Sequence, residues 1–392
     1  MEHICIPGEE FRERWARLQE EMARSDLDLF IAYSDDHAVF GPANARYLAN
    51  FPAHFEPVCV LVPAAGEPLL LTGPESEGYA RLTSEVKDIR VVQEFAHPEE
   101  DYPFTELVPL ADVIAEAAER AGGKVRRVGL AGLDIMTHNV YRALREALTG
   151  VERAEAENAL LRLRAIKSEN EIKVIRRAYQ IAQEGMEAAL EAIREGVTER
   201  EIAAAAEGAM RSSGAEGFGI DTIVASGPNS SPILARTSFR RVQRNELILL
   251  TVAPRYEGYH AAIGRPVFLG QLSDEVRRAM EAALEAQRAS REALRPGAIG
   301  KDADGAARRV LERAGLAEYC LYGVVHSVGV AEFEPPIFSP RSEDVAQSGM
   351  VLSIDVPLFH APWGGLRYED GFLVTEKGAE PLEDFRTGVV TL

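Results

Sequence analysis

Apolar runs alternate with helical patterns over the first part of the chain. Apolar residues recur at helical spacing over 11–22, and a continuous apolar run typical of a buried strand follows. Strands that alternate with helices form α/β layers. The pattern therefore predicts a domain over 1–153 with a largely buried mixed sheet. The strand-like runs are 27–33, 58–64, 68–73, 89–95 and 126–132, and further helical patterns are 109–123 and 137–148.

A long charged and apolar helical pattern, 151–196, predicts a helix that joins this domain to a second one, 154–392. The second domain contains two similar helical blocks, 196–214 and 297–315, each bounded by glycines with a spacing of 18. Each block follows a helix that contains the letters EAAL and leads toward strand-like sequence. This repetition predicts an internal duplication with a ligand site in a cleft to which both halves contribute.

Composition and charge exclude several classes of protein. With 392 residues and 46% hydrophobic residues, the chain is long enough for two globular domains. The net charge of -19, without a basic stripe, argues against a nucleic-acid partner. No apolar run has membrane-spanning length, and the first residues lack a signal-peptide pattern, so we expect no membrane partner and a cytoplasmic location. The three cysteines are too scattered for a disulfide framework or a zinc site.

Three segments, taken together, resemble the pita-bread family that includes creatinase, Xaa-Pro dipeptidase, aminopeptidase P and methionine aminopeptidase. The segment LRAIKSENEIKVIRRA (163–178) is similar to the family's domain-joining helix, and DTIVASGPNSS (221–231) to its first strand and loop near the site. NARYLANF (44–51) is similar to part of the creatinase-like N-terminal domain. The resemblance implies an α/β (α+β) protein: a creatinase-like N-terminal domain with a mixed sheet, followed by a pita-bread domain with pseudo-twofold duplication.

In the metallopeptidases of this family, two aspartates, a histidine and two glutamates hold a pair of ions. By spacing from Gly258, the two aspartates correspond here to Thr251 and Ala262. The histidine and the two glutamates correspond to positions that are still polar, namely His326, Asp355 and Glu369. Because a divalent pair needs several oxygen or imidazole ligands, we expect no cofactor. A weak single ion at the three remaining positions is the alternative.

Two further family histidines are replaced by apolar residues. Leu234 stands where the family has a substrate-contacting or catalytic histidine. Phe333 stands where the family has a second histidine. Creatinase itself lacks metals and resembles this chain around His326, but it depends on the histidine that corresponds to Leu234. We therefore expect Leu234 and Phe333 to contact substrate.

Three residues are candidates for proton transfer. If 258–268 is one strand, His260 lies on the same face as position 262 and points into the cleft, where it would act as general base near His326. The alternative for either histidine is a structural hydrogen bond. Glu334, which precedes two prolines, corresponds to a glutamate that takes part in proton transfer in metallopeptidase relatives; surface exposure in a loop is its alternative.

Several polar residues are candidates for substrate binding. Asp355 lies in an otherwise apolar strand, where a buried carboxylate needs a partner such as a substrate cation, His326 or Arg367. Arg367 and Glu369 share a strand face, so an internal ion pair is equally compatible with the sequence. Thr251 and Tyr259 are candidate donors to an oxyanion, with packing as the alternative for the tyrosine.

His54 and Phe55 match the region through which a creatinase subunit reaches into its neighbour's site. The resemblance therefore implies a homodimer in which these two side chains contact substrate bound to the partner subunit.

Three functions are compatible with this sequence. The first is a metal-independent, creatinase-like hydrolase that cleaves a C–N bond in a small polar nitrogen-containing compound. The second is an Xaa-Pro dipeptidase or aminopeptidase that retains one ion at His326, Asp355 and Glu369. The third is a non-catalytic ligand-binding protein with the pita-bread fold.

Overall fold

A computed structural model describes residues 3–37 and 39–392. The described chain forms two compact units, Ile6–Arg164 and Ala165–Leu392, and residues 3–5 belong with the second. The strand Glu152–Glu155 still pairs within the sheet of the first unit. The units therefore divide at Arg164, whereas the sequence pattern places the boundary at residue 153.

The first unit is built on a six-stranded mixed sheet with strand order β4-β3-β2-β1-β5-β6. The strand β1 pairs antiparallel with β2 and parallel with β5, which confirms the predicted mixed sheet. The strands are β1 (Leu29–Ser34), β2 (Val58–Pro63), β3 (Leu69–Thr72), β4 (Ile89–Val91), β5 (Arg127–Ala131) and β6 (Glu152–Glu155). The helices are α1 (Gly8–Arg24), α2 (Ala43–Ala49), α3 (Glu77–Thr83), α4 (Leu110–Arg120), α5 (His138–Ala147) and α6 (Glu157–Ala165).

The central strands of this sheet are buried on both faces, because helices cover it. All residues of β1, β2 and β3 are buried, which explains why their sequences are continuous apolar runs rather than alternating ones. Helices α4 and α5 pack their apolar sides into the same core through Val113, Val140 and Leu144.

The second unit combines four long helices with a nine-stranded sheet and a separate three-stranded sheet. The helices are α7 (Glu169–Ala192), α8 (Glu199–Ser212), α9 (Asp274–Ala293) and α10 (Gly300–Arg313). The strands are β7 (Gly217–Phe218), β8 (Ile223–Ser226), β9 (Glu246–Val252), β10 (Pro254–Tyr256), β11 (Tyr259–His260), β12 (Ile263–Leu269), β13 (Val325–Ser327), β14 (Glu334–Phe338), β15 (Val351–Ala361), β16 (Gly364–Thr375), β17 (Gly378–Pro381) and β18 (Val390–Thr391).

The large sheet runs in the order β14-β13-β15-β16-β12-β9-β8, with β17 and β18 attached to β16 and β12. The three-stranded sheet has the order β11-β10-β7.

The predicted duplication is present as two helix pairs, α7 with α8 and α9 with α10. The four glycines that bound the repeated blocks all have positive φ, which glycine adopts without a side-chain clash. Their φ values are 84° at Gly196, 111° at Gly214, 87° at Gly297 and 71° at Gly315. The equal spacing in the sequence therefore marks equivalent chain reversals in the two halves.

The single long helix predicted over 151–196 is wrong. Strand β6 and helix α6 precede a break, and α7 begins only after Ser168. The Ser168 side chain accepts a hydrogen bond from the Glu171 backbone N–H, and the Glu171 carboxylate accepts one from the Ser168 backbone N–H. This reciprocal capping box starts a new helix.

Among the residues that the structure describes, no helix has the length and apolar character needed to cross a membrane.

Candidate active site

Four adjacent strands of the large sheet bring predicted site positions into one row. Thr251 on β9 lies opposite Gly264 on β12, Gly264 lies opposite Glu369 on β16, and Glu369 lies opposite Asp355 on β15. Directly opposed residues in neighbouring strands project from the same face of a sheet. Ser353, two residues before Asp355, shares that face and lies opposite His326 on β13. The sheet thus collects the three polar positions that the sequence singled out.

A buried cluster of two carboxylates and one imidazole forms on this face. His326 Nε2 lies 3.5 Å from Glu369 Oε1, which also accepts a 3.0 Å hydrogen bond from the Ser353 hydroxyl. Glu332 completes the cluster: one ligand atom each of His326, Glu332 and Glu369 lie within 4.8 Å of one another. An imidazole and two carboxylates are suitable ligands for a divalent transition-metal ion.

A second buried group surrounds Asp355. Arg367 Nε lies 3.1 Å from Asp355 Oδ1, and a guanidinium nitrogen of Arg367 lies 3.9 Å from Glu369 Oε2. The Tyr322 hydroxyl donates to Asp355 Oδ2 at 2.8 Å and accepts from Arg367 at 2.8 Å. Arg367 therefore forms an internal ion pair, which was the alternative to substrate binding. The carboxylate closest to it is that of Asp355 rather than that of Glu369.

Burial and neighbouring charges shift the pKa values of the cluster. Burial disfavours the imidazolium of His326, but the hydrogen bond to Glu369 and the charges of Glu332, Glu369 and Asp355 outweigh it and raise the pKa of His326 to about 9. Burial raises the pKa of Glu332 to about 7 and that of Asp355 to about 6. Burial also opposes ionisation of Glu369, yet His326 and Arg367 hold its pKa below the usual value. The surrounding carboxylates therefore favour the protonated form of His326.

Glu334 is buried, so the alternative of surface exposure in a loop does not hold, and its role in proton transfer stays a prediction. It begins β14 and faces Lys167, whose ammonium lies 3.2 Å from Glu334 Oε1 and donates to the Ser327 hydroxyl at 2.8 Å. Since Ser327 follows His326 directly, this pair fixes the end of the strand that carries the histidine.

The single strand predicted over 258–268 is also wrong. The chain leaves β11 at His260 and begins β12 at Ile263, and the two strands belong to different sheets, so residue alternation does not continue across the break. His260 is buried, its backbone N–H donates to the Gly329 carbonyl, and its Nδ1 lies 3.2 Å from the same oxygen. A Cβ added at Gly219 would lie 2.6 Å from both His260 and Glu332, so the imidazole packs beside the cluster.

The other predicted site residues are in differing surroundings. The buried Thr251 hydroxyl has no hydrogen-bond partner among the described residues. The Tyr259 hydroxyl donates to Glu171 at 2.8 Å and so connects β11 to the start of α7. The Phe333 ring, 41% exposed, packs against the His326 ring with a centroid distance of 4.7 Å. Leu234 is 74% exposed on the loop between β8 and β9.

His54 and Phe55 belong to the first unit, Ile6–Arg164. The His54 Nδ1 lies 2.8 Å from Asp36, and Phe55 is exposed with a φ of 65°. Their predicted role toward a partner subunit stays a prediction, as does the homodimer.

The sequence interpretation missed three residues of the site. Glu332 follows His326 by six positions and precedes Phe333, so its carboxylate near the retained histidine is a signal that the sequence already contains. Tyr322 and Gly264 carry no sequence signal of their own. Only their contacts in the folded chain show that they surround Arg367.

Comparisons with known proteins match each part of the chain to a known domain. The model of the creatinase/prolidase N-terminal domain matches residues 14–166, and the model of metallopeptidase family M24 matches residues 173–376. The chain belongs to metallopeptidase family M24. An Xaa-Pro dipeptidase from Pyrococcus horikoshii is 31% identical over 79% of this chain and 87% of the relative. One from Pyrococcus furiosus is 34% identical over 63% of this chain and 71% of the relative.

Solved structures of other M24 proteins share the fold. The prolidase from P. horikoshii superposes with a TM-score of 0.82 at 26% identity, covering 95% of this chain and 99% of the other. The X-Pro aminopeptidase from Thermotoga maritima superposes with a TM-score of 0.83 at 25% identity, covering 96% of this chain and 99% of the other. These matches confirm the creatinase-like N-terminal domain and the pita-bread domain.

The expectation that this protein uses no cofactor is wrong. It belongs to a metallopeptidase family, and an Xaa-Pro dipeptidase and a prolidase are among the proteins that it resembles. The metal-independent, creatinase-like reaction gains no support from these relatives.

The donor set fits one ion better than two. His326, Glu332 and Glu369 are close enough to share an ion, whereas Ala262 offers no donor atom and Thr251 only a neutral hydroxyl. Asp355, the other carboxylate of the row, is already paired with Arg367.

Proposed function

We propose that this protein is a peptidase of the Xaa-Pro dipeptidase type that works with a single divalent ion held by His326, Glu332 and Glu369. The observation that carries this proposal is the convergence of these three buried side chains on one point. The ligand set differs from the one expected from the resemblance, because Glu332 takes the place of Asp355.

The residues around the ligands set their orientation. Ser353 donates to Glu369, and the His326 Nδ1 lies 3.1 Å from the Ser327 carbonyl, which leaves Nε2 directed toward Glu369. The Lys167–Glu334 pair holds Ser327 in place. Hydrogen bonds of this kind fix the direction of metal ligands and raise their affinity for the ion.

When bound, a divalent ion supplies a Lewis acid that polarises a carbonyl oxygen and lowers the pKa of water. The chain itself contributes a buried surface on which the polar groups are already oriented. Thr251 offers a hydroxyl donor to the substrate's carbonyl oxygen from the same sheet face. Phe333 covers His326 on the solvent side and, with Leu234, offers apolar contacts to the substrate.

The test is hydrolysis of proline dipeptides by purified protein loaded with Mn²⁺, Co²⁺ or Zn²⁺. We expect release of proline from Leu-Pro or Met-Pro, little hydrolysis of Leu-Ala, and loss of activity on chelation. His326→Ala should lower kcat/KM by roughly 100-fold or more, since even partners of metal ligands are worth 10–100-fold. His138→Ala, an exposed histidine of the first unit, is the matched control and should leave the rate unchanged.

Two outcomes would contradict this proposal. Turnover that chelators do not affect would show that the reaction does not need the ion. Tight binding of Leu-Pro without hydrolysis under any metal would favour the ligand-binding protein instead.

A further inference from the structure

The tip of the Tyr179 ring occupies the space of a missing side chain on β16. Tyr179 lies on α7, and a Cβ added at Gly371 would lie 2.1 Å from both Cζ and Oη of this tyrosine. Real Cβ atoms do not approach neighbouring atoms that closely, so any other residue at 371 would displace the ring. Gly371 follows Glu369 by two residues in a regularly paired part of the strand, so both positions face the same side of the sheet. The Tyr179 hydroxyl thus reaches the face that carries the proposed ion ligands.

The hydrogen of this hydroxyl has no acceptor within the described part of the chain. Tyr179 is completely buried, and its Oη has no hydrogen-bond partner among the described residues. Glu369 is near enough for its charge to act on the hydroxyl, yet the Glu369 Oε2 atom has no hydrogen-bond partner among these residues either. An unpaired buried hydroxyl is costly, whereas a phenylalanine would fill the same space without that cost. The hydroxyl therefore indicates an acceptor that the described chain itself does not supply.

The Tyr179 hydroxyl stays neutral in this environment. Burial, and then the charge of Glu369, raise the pKa of this hydroxyl well above its usual value, although the Ala262 backbone amide lowers it. At neutral pH, Tyr179 therefore donates a hydrogen bond and is not a phenolate that would act as an ion ligand.

Two other donors near the site are already engaged. Arg367 is paired with Asp355, and the Tyr259 hydroxyl donates to Glu171. Thr251 differs, because its buried hydroxyl has no partner among the described residues and it lies on the same sheet face. A carbonyl oxygen gains negative charge when a peptide bond is hydrolysed, and buried hydroxyl donors stabilise that charge. Two hydroxyls of this kind are therefore suited to one reacting oxygen.

We propose that the Tyr179 hydroxyl is a catalytic donor that binds the scissile carbonyl oxygen of the peptide together with Thr251. During hydrolysis the oxygen of water bonds to the carbonyl carbon, and the π electron pair moves onto the carbonyl oxygen, where the hydrogen bond from Tyr179 strengthens. When the C–N bond breaks, that pair forms the carbonyl again, and both protons of the water end on the proline nitrogen. Tyr179 keeps its own proton throughout. This inference rests on the proposed peptidase activity and adds a residue to it.

The decisive variant is Tyr179→Phe, which removes the hydroxyl and leaves the ring above Gly371. With Leu-Pro and metal-loaded protein, kcat should fall roughly 100-fold with little change in KM, because the hydrogen bond is strongest when the oxygen is charged. The dissociation constant for Mn²⁺ should be unchanged, and the melting temperature should not fall, since no hydrogen bond of the described chain is lost. Tyr368→Phe is the matched control: this buried tyrosine faces the other side of β16 and donates to the Gly388 carbonyl, so kcat should stay the same.

A binding measurement tests the donor without turnover. Acetohydroxamate is a small ligand of divalent ions that carries a carbonyl oxygen and an anionic oxygen. Calorimetry with Mn²⁺-loaded protein should show roughly tenfold weaker binding to Tyr179→Phe than to wild type, because a hydrogen bond to a charged oxygen is lost. A wild-type protein that hydrolyses no proline dipeptide would contradict the proposed function, and the acetohydroxamate comparison would then still decide the role of Tyr179.

Either of two results would overturn the inference. The first is a Tyr179→Phe protein with the kcat of wild type, and the second is acetohydroxamate that binds both proteins equally or binds neither. A lower kcat accompanied by weaker Mn²⁺ binding or by a lower melting temperature would also contradict it, because the tyrosine would then have a structural role.

Discussion

His326 and Glu332, two of the proposed ion ligands, both have pKa values above their usual range, so a bound ion would compete with protons at each. The pKa of His326 is raised to about 9 and that of Glu332 to about 7 by their surroundings. A metal ion binds the neutral imidazole and the ionised carboxylate, so metal binding competes with protons at both residues.

Ion binding should therefore depend strongly on pH. Because the folded-state pKa of His326 lies near 9, most molecules must release its proton at pH 7.5, and the affinity for Mn²⁺ should rise as pH increases from about 6 to 9. Calorimetry in buffers of different ionisation enthalpy should show about one proton released per ion at pH 7.5. Glu332→Gln should weaken binding by at least roughly tenfold. A pH-independent affinity would show that His326 is not a ligand.

Sequence spacing selected residues that the strands bring to one sheet face, but it left their partners unknown. The positions of Thr251, His326, Asp355 and Glu369 could be predicted because each lies at a set distance from a recognisable segment, and the strands bring all four to one face. The pairing of Asp355 with Arg367 depends on side-chain packing between strands, which spacing along the chain does not specify.

The breaks between elements account for most errors of the sequence interpretation. Periodicity continues through 151–196 and through 258–268, but the chain interrupts both, after Ala165 and after His260. Helical periodicity depends on side-chain polarity, while the break at Ser168 is made by backbone capping. The S-x-x-E pattern at 168–171 was a sequence signal for that break.

The capping box should contribute measurably to the stability of the second unit. Ser168→Ala removes the acceptor for the Glu171 backbone N–H and should lower the free energy of unfolding by about 1 kcal/mol. Urea unfolding followed through the fluorescence of Trp363, the tryptophan of this unit, would measure it.

Ser212→Ala is the matched control for this substitution. That exposed hydroxyl donates only to a carbonyl of its own helix, so its loss should change stability by less than about 0.5 kcal/mol. Equal effects of the two substitutions would show that the cap contributes nothing.

At the scale of the whole molecule, the proposed ion ligands all lie in the second unit, Ala165–Leu392. The first unit has its own sheet and its own apolar core. The alternation of apolar runs and helical patterns predicted this fold well, since it depends on burial summed over many residues rather than on single contacts.

An ion bound at the cluster should stabilise the second unit selectively. At a free ion concentration of 100 times Kd, mass action adds about 2.7 kcal/mol to the stability of the state that binds it. Hydrogen exchange followed by mass spectrometry should show slower exchange on Mn²⁺ addition in peptides from β13, β15 and β16. Peptides from β1 to β3 should be unchanged, and equal slowing in both sets would contradict the proposed location.

The guanidinium at Asp355 also supplies part of the positive charge that the buried acids need in order to pack together. A cluster of bare carboxylates would repel itself until metal arrived, so such a chain would depend on metal supply in order to fold. Here Arg367 pairs with Asp355 and approaches Glu369, which relieves part of that repulsion within the chain itself. The second unit should therefore reach its fold without a bound ion, because groups of the chain itself stabilise its buried acids.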